Sequence, residues 1–335
     1  MDIVITGGCG FLGQHLTKLL LGELPTCRIT LLDLNEPNPK SYYAFTNEKR
    51  VKYLTGKNIC DVGSIEHAFD NVDVVFHLAG VVAFSVKDKK KLYAVNINGT
   101  KNVYTLSVKS GVKRFIHVSS VAALGYNDKK NDPISEDFTF DWEVANKYKK
   151  YYMISKHEAD LFLLKQKDQC NLNIVYPGLM LGPGDQTNSV KLLNAMKKKQ
   201  IPFNTPGGTN VIDVRDVARG LVKVLQNGDP GERYLLSGYN MTFKEQNKII
   251  ASVLGVENPK MTLPKYLSPV LRVIILMYEK LSKKPLVTAD NIHSSFLYRY
   301  FDNAKAASKL NWSPKINFTD TIKDTNTWMK EKDLI

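Results

Sequence analysis

Short runs of branched apolar residues alternate with longer stretches of helical period through the first half of the chain. Ile3-Val4-Ile5, Ile29-Thr30-Leu31-Leu32 and residues 51–54, 72–80, 114–118 and 173–176 have the length and β-branched content of buried strands. Between them, residues 14–21, 62–69, 89–110 and 145–166 carry apolar positions three and four apart, as amphipathic helices do. Strict alternation of this kind predicts an α/β fold with a doubly wound parallel sheet. The alternation breaks at Leu181-Gly182-Pro183-Gly184-Asp185. Beyond it come a helix at 190–199, a turn at Pro206-Gly207-Gly208, a strand at 211–214, a helix at 216–226, a strand at 234–236 and mostly helical patterns to the end. The expected division is a sheet domain of residues 1–178, rejoined by 208–238, and a smaller, mostly helical substrate region of 179–207 and 239–335.

The first strand runs into Thr6-Gly7-Gly8-Cys9-Gly10-Phe11-Leu12-Gly13, glycines spaced G-x-x-G-x-x-G ahead of a helix. One glycine permits the tight turn, one lets the backbone approach a pyrophosphate with no Cβ in the way, and one lets the helix pack close to the sheet. The free N–H groups at the helix start then face the anion. Asp33 closes the second strand about 20 residues past the last glycine, where a dinucleotide site needs a carboxylate for the adenosine ribose hydroxyls. Leu34-Asn35-Glu36 supplies no arginine for a 2′-phosphate, so NAD is expected ahead of NADP.

The chain of 335 residues, 43% hydrophobic and 24% charged, has the composition of a globular protein with a sizeable core. Its net charge of +13 is dispersed through predicted helices, as in Lys89-Lys90-Lys91 and Lys197-Lys198-Lys199. No nucleic-acid motif surrounds these runs, which read as solvated helix faces, and no nucleic-acid partner is expected. The first strand begins at residue 2, so no signal peptide is expected, and no apolar run reaches the ~20 residues that span a bilayer. A cytoplasmic location is expected. Cys9, Cys27, Cys60 and Cys170 lack metal-ligand spacing and read as free thiols, with no metal site.

Tyr152 and Lys156 stand four residues apart, on one face of a predicted helix. A neighbouring ammonium favours the phenolate, which would draw the tyrosine down towards neutral pH. His77 has no second His or Cys at metal spacing and reads as a packing residue. Trp312 and Trp328 read as core anchors, and Trp142, in the polar loop before the tyrosine helix, as a residue able to touch substrate.

Thr6-Gly7-x-x-Gly10-x-x-Gly13, Asp73-Val-Val-Phe-His77-Leu-Ala79, Asn96-Ile-x-Gly99-Thr100, Ser119-Ser120, Tyr152-x-x-x-Lys156, Pro177-Gly178 and Asp213-Val-Arg-Asp216 occur in the order of one enzyme group. Over nearly its whole length the chain resembles the extended short-chain dehydrogenases/reductases, the NAD-dependent epimerase/dehydratase superfamily with its Rossmann-type domain. Within that group it looks nearest the dihydroflavonol reductase and 3β-hydroxysteroid dehydrogenase branch. The resemblance implies Tyr152 as acid/base, Lys156 as the group that tunes it and holds the nicotinamide ribose, and Ser120 as the ligand of the substrate oxygen, with Ser119 packed behind. It implies cofactor contacts from Gly7, Gly10, Phe11, Leu12, Gly13, Asp33, Asn58, Ile59, Leu78, Ala79, Gly80, Asn96, Tyr152, Lys156 and Pro177. Asn58 replaces the usual acidic residue beside the adenine, and Tyr176 an arginine found in many relatives. Residues 206–210 lack the arginine with which sugar-nucleotide epimerases hold a pyrophosphate.

The leading expectation is an NAD(P)-dependent oxidoreductase acting on a small-molecule secondary alcohol or ketone. A nucleotide-sugar epimerase or dehydratase with tightly bound NAD is the alternative, and a non-catalytic NAD-binding sensor the third reading. The resemblance further implies a homodimer formed through helix 89–110 and the Tyr152 helix. Residues 266–281, between Pro264 and Pro285, form the most apolar stretch. With Lys265, Lys280, Lys283 and Lys284 beside it, this stretch reads first as a helix folded over the substrate cleft or the C-terminal core. Its second reading is peripheral contact with an anionic membrane.

Overall fold

The computed structural model describes residues 1–282 and 287–335. The chain forms strands β1 (Asp2–Thr6), β2 (Arg28–Leu32), β3 (Val51–Leu54), β4 (Val74–His77), β5 (Arg114–Val118), β6 (Asn171–Pro177), β7 (Leu179–Leu181), β8 (Gly208–Asp213), β9 (Arg233–Leu236), β10 (Tyr239–Thr242) and β11 (Tyr298–Arg299). Seven of them make one sheet in the order β3-β2-β1-β4-β5-β6-β9, every neighbouring pair parallel. The strand order reverses between β1 and β4, so the carboxyl ends of those two strands open the crevice in which such sheets bind ligands.

The first helices are α1 (Phe11–Glu23), α2 (Val62–Ile65), α3 (Lys89–Leu92), α4 (Thr100–Lys109), α5 (Trp142–Lys147) and α6 (Tyr151–Leu164). Then follow α7 (Asn188–Lys197), α8 (Val214–Asn227), α9 (Phe243–Leu254), α10 (Ser268–Leu281), α11 (Ala289–Ser295), α12 (Ala304–Leu310) and α13 (Phe318–Glu331). The strand pleat sends Ile3 and Ile5 into a core with Leu12, Leu16 and Leu20 of α1 and Val217, Leu221 and Val224 of α8. Val4 goes to the opposite core with Val103 and Leu106 of α4 and Leu163 of α6. A sheet covered on both faces explains strands that are apolar throughout.

Of residues 208–238, α8 packs on the large sheet and β9 joins it, whereas β8 is the centre of a second sheet. There β8 pairs parallel with β7 and β11 and antiparallel with β10. A third core, with Leu181, Leu193, Ile250, Phe318 and Trp328, lies beside it. The Asp213-Val-Arg-Asp216 motif is a joint: Asp213 caps α8 by accepting from Arg215 N and takes a bond from Thr321 Oγ1 at 2.9 Å. Asp216 accepts from Lys315 N and Ile316 N, both at 2.9 Å.

Two predicted helices differ from the expectation. Residues 145–166 form α5 and α6, separated where Lys149 takes a left-handed φ of +54°. The break turns Lys150 inward, buried and ion-paired with Asp290 while donating to Ser294 Oγ at 3.0 Å. Residues 89–110 are helical throughout, with a π-helical stretch, Tyr93–Gly99, between α3 and α4. Residues 266–281 give a short turn and then α10, whose one buried residue is Glu279. The predicted flank of Lys283, Lys284 and Pro285 lies outside the described residues.

Candidate active site

β1 ends in the glycine turn. Gly7 has φ +70°, and a Cβ there would stand 2.8 Å from Ala79 N, so the turn lies directly against the end of β4. A Cβ on Gly13 would strike Gly8 O, the close helix approach its spacing implied. Gly10 caps α1 with no side-chain bond, leaving the first N–H groups of Phe11 and Leu12 at the mouth of the crevice. Asp33 is fixed beside the turn, its Oδ2 accepting from Cys9 N at 3.1 Å and its Oδ1 from Asn35 N at 3.0 Å. Asn58 spends its side-chain oxygen on Cys60 N at 3.0 Å. Ile59 is buried against Gly99, where a Cβ would meet Ile59 Cδ1 at 2.6 Å. Turn, Asp33 and helix start together fit a dinucleotide: they offer backbone donors, a carboxylate and space kept open by absent side chains.

Further along the same strand ends, Leu78 N donates to Thr6 O at 3.0 Å. Asn96 clamps the next residues, accepting from Val81 N at 2.8 Å and donating to Val81 O and Ser155 Oγ, both at 3.0 Å. A Cβ on Gly80 would lie 3.3 Å from Asn96 Oδ1 and 3.5 Å from Lys156 Nζ, which places Gly80, Asn96 and Lys156 together. Tyr152 is buried, with Ser120 beside its phenol, and is edge-on to Phe84 at 5.6 Å between ring centroids. Ser120, Tyr152, Lys156, Asn96 and Gly80 thus gather in one place, while Pro177 ends β6 beside β5.

The electrostatics correct one expectation. Burial holds the Tyr152 phenol above its ordinary value, the neighbouring Ser120 hydroxyl opposing this and Asp160 adding to it. Lys156 is not among the groups that move it, and its ammonium donates to Val118 O at 3.1 Å. Burial pulls Lys156 itself down to about 8 against the attraction of Asp160. Asp160, one turn further along α6, is pushed up to about 7 by burial, with Lys156 and the Ser119 bond opposing. Its Oδ2 accepts from Ser119 Oγ at 2.8 Å, and its Oδ1, 3.4 Å from His117 Nε2, is buried with no hydrogen-bond partner among the described residues, the Tyr176 phenol lying nearby. The Tyr176 phenol is held well above its ordinary value, burial and Asp160 raising it and the neighbouring Arg233 guanidinium opposing this.

The sequence reading did not single out Asp160, although its i+4 spacing from Lys156 was a visible signal. It also missed a cluster over the Tyr152 helix start: Lys150, Asp290, Tyr126, His293 and Arg299. Lys150 Nζ lies 5.4 Å from the Tyr126 ring, and the Tyr148 and His293 rings stack at 3.8 Å. Tyr126 Oη, His293 Nδ1 and Arg299 Nε are buried with no hydrogen-bond partner among the described residues. Arg299 is in register with Thr209 across β11 and β8, a relationship no local pattern could reveal.

Other residues take structural places. His77 is fully buried between Thr6 Oγ1 at 2.7 Å and Thr100 Oγ1 at 3.0 Å, and burial keeps it neutral. Trp312 and Trp328 are core residues, and Trp142 opens α5, stacked edge-on to Phe140 and His157. Among the described residues no cluster of His, Cys, Asp and Glu could hold a metal, and no helix is long and apolar enough to cross a membrane.

A putative dihydroflavonol 4-reductase of Synechocystis is 27% identical over 338 residues, covering 97% of this chain and 94% of that protein. The 3beta-hydroxysteroid-dehydrogenase/decarboxylase isoform 1 of Arabidopsis thaliana is 26% identical, over 96% of this chain and 78% of its own length. The fold matches that of a Streptomyces venezuelae dTDP-glucose 4,6-dehydratase solved with NAD bound, at a TM-score of 0.79 and 21% identity over 99% of this chain and 97% of that one. The family model for 3-beta hydroxysteroid dehydrogenase/isomerase matches residues 4–221. The chain therefore belongs to the 3-beta hydroxysteroid dehydrogenase/isomerase family, within the extended short-chain dehydrogenases/reductases.

Proposed function

We propose that this chain is an NAD-dependent oxidoreductase that interconverts a secondary alcohol and a ketone, with Tyr152 as its acid/base. The observation that carries the reading is the buried Tyr152 phenol, set beside Ser120 and one helical turn from Lys156, which neighbours Gly80. The glycine turn and the start of α1 would hold the pyrophosphate, Asp33 the adenosine ribose, Ile59 the adenine side, and Lys156 with Asn96 the nicotinamide ribose. A bound nicotinamide supplies or accepts the hydride there. Ser120 steers the substrate oxygen, and Tyr152 gives it a proton in reduction and removes one in oxidation. A phenol held above its ordinary value by burial is protonated at neutral pH, ready as the acid of the reduction. Tyr152→Phe tests this: it should fold and bind NADH normally while turnover falls at least ~100-fold. Near-normal turnover would remove Tyr152 from the reaction.

A nucleotide-sugar substrate remains the second reading, favoured by one observation. Arg299 stands in register with Thr209 and carries a buried Nε with no hydrogen-bond partner among the described residues, a guanidinium close in the fold to residues 206–210, which lack one. Calorimetric titration of the NAD complex with a nucleotide sugar and with a lipophilic secondary alcohol separates the two. Binding of the sugar alone, lost in Arg299→Met, selects the second.

A further inference from the structure

A surface helix of a globular protein ordinarily buries its apolar stripe and shows its charges to water. α10 departs from this pattern: Leu271, Arg272, Ile275 and Leu276 on its inner side are half-buried, and its one fully buried residue is charged. Glu279 is its buried residue, 1% exposed, and is held by three donors: Ser85 Oγ at 2.7 Å, Val86 N at 3.0 Å and Ala289 N at 3.0 Å. The Arg272 guanidinium lies on the same molecule-facing side, 4.9 Å from the Tyr148 ring centroid. The opposite side carries Val270, Val273, Ile274, Met277 and Leu281, spaced three and four apart and exposed by 58%, 49%, 54%, 63% and 88%. Tyr266, 77% exposed, lies in the turn just before the helix, and Met261, 60% exposed, precedes it in the chain. A contiguous apolar stripe of this length marks an interaction surface.

Its electrostatic frame selects the partner. Between residues 260 and 282 the cations are Lys260, Lys265, Arg272 and Lys280, and the single carboxylate is the buried Glu279. Lys260, Lys265 and Lys280 are exposed, and Lys87 crosses the helix end, donating to Lys280 O at 3.3 Å and Ser282 O at 2.9 Å. Lys265 is paired with the neighbouring Asp128 at 2.7 Å. An apolar stripe with an outward tyrosine at one end and lysines at its borders is the arrangement of a helix lying in the interface of an anionic bilayer. A self-associating face would bring these lysines against their own copies.

We propose that α10, with Tyr266, seats the protein on the surface of an anionic lipid bilayer, its apolar stripe among the acyl-chain ends and Lys280 and Lys260 at the headgroups. This surface is independent of the reaction proposed above. Phe84, one residue before the Glu279 anchor at Ser85, touches Tyr152, so the seated helix lies close to the cleft.

The test uses the full chain and vesicles of phosphatidylcholine with and without phosphatidylserine, in a low-salt sedimentation assay. The wild type should cosediment with the phosphatidylserine vesicles and release at high salt. Ile274→Asp with Met277→Asp should weaken binding at least ~10-fold while leaving the melting temperature unchanged, because both side chains already face water. Lys280→Glu should weaken binding to anionic vesicles only. Failure to cosediment overturns the proposal. So does binding that the double substitution leaves intact, since the basic surface as a whole would then be responsible. A vesicle-free dimer that the double substitution converts to monomer also overturns it, by making a second copy the occupant.

Discussion

Ser119 donates its hydroxyl to Asp160 at 2.8 Å, while the next residue, Ser120, lies beside the Tyr152 phenol. Two adjacent serines at the end of β5 are thus committed to different partners. Ser120→Ala should lower turnover by about 10-fold to 100-fold with cofactor affinity unchanged, because the substrate oxygen loses its steering donor. Ser119→Ala should instead cost stability, about 1–3 kcal/mol for a buried carboxylate left short of a donor. Steady-state kinetics and thermal melting on both variants distinguish the two roles.

The raised value of Asp160 has a definite pH signature. The unfolded carboxyl ionises near its ordinary value of about 4, whereas the folded one does so at about 7. The folded state therefore holds the extra proton between these limits, and this contribution to stability is lost as pH rises through that window. Asp160→Asn has no such loss. The difference in stability between variant and wild type should move in favour of the variant from about pH 4 to 7, by on the order of 1 kcal/mol per pH unit, and then level off. Melting curves across this range check it, and a constant difference would mean that Asp160 is ionised throughout.

Lys156, pulled down to about 8, behaves oppositely as a cation. Lys156→Ala should weaken NADH binding in addition to slowing turnover, because the ammonium is assigned to the ribose as well as to the tyrosine. Fluorescence titration of the variant gives the binding loss directly.

Asp33 lies against the glycine turn through Cys9 N. A carboxylate there hydrogen-bonds a free ribose hydroxyl and repels a 2′-phosphate, so NADH should bind more tightly than NADPH. Asp33→Ala should narrow that preference by about 10-fold or more. Titration of both cofactors decides it.

We propose a homodimer through the helical residues 89–110 and α6. Leu161 is exposed on α6, and the neighbouring Phe162 is half-buried with Lys101 Nζ 5.4 Å from its ring centroid, leaving apolar surface to cover. Leu161→Asp should shift light scattering from dimer towards monomer. A wild-type monomer at micromolar concentration would count against the assembly.

The strands were legible because their β-branched runs are buried on both faces, and the glycine turn because its spacing has a backbone cause. Helix ends were less legible. The break at Lys149 depends on burying Lys150 against Asp290, a partner far along the chain. The direction of the Tyr152 shift was missed for a related reason: sequence spacing reveals a neighbouring charge but not the desolvation that outweighs it. Arg299 beside Thr209 and Glu279 under Ser85 are likewise products of topology. The orientation of α10 was also hidden, since its stripe is apolar whether it faces core or water.

The π-helical stretch Tyr93–Gly99 stores one residue more than an α-helical turn would use. Deleting Val95 would let the ladder close as a regular helix from α3 into α4, with Val103 and Leu106 of α4 still seated in their core. The shortened helix would nevertheless rotate the Asn96 amide away from Val81 and Ser155. The local irregularity is therefore a register device: it lets one continuous helix serve two masters, a packing face at its far end and a polar clamp over the crevice at its near end.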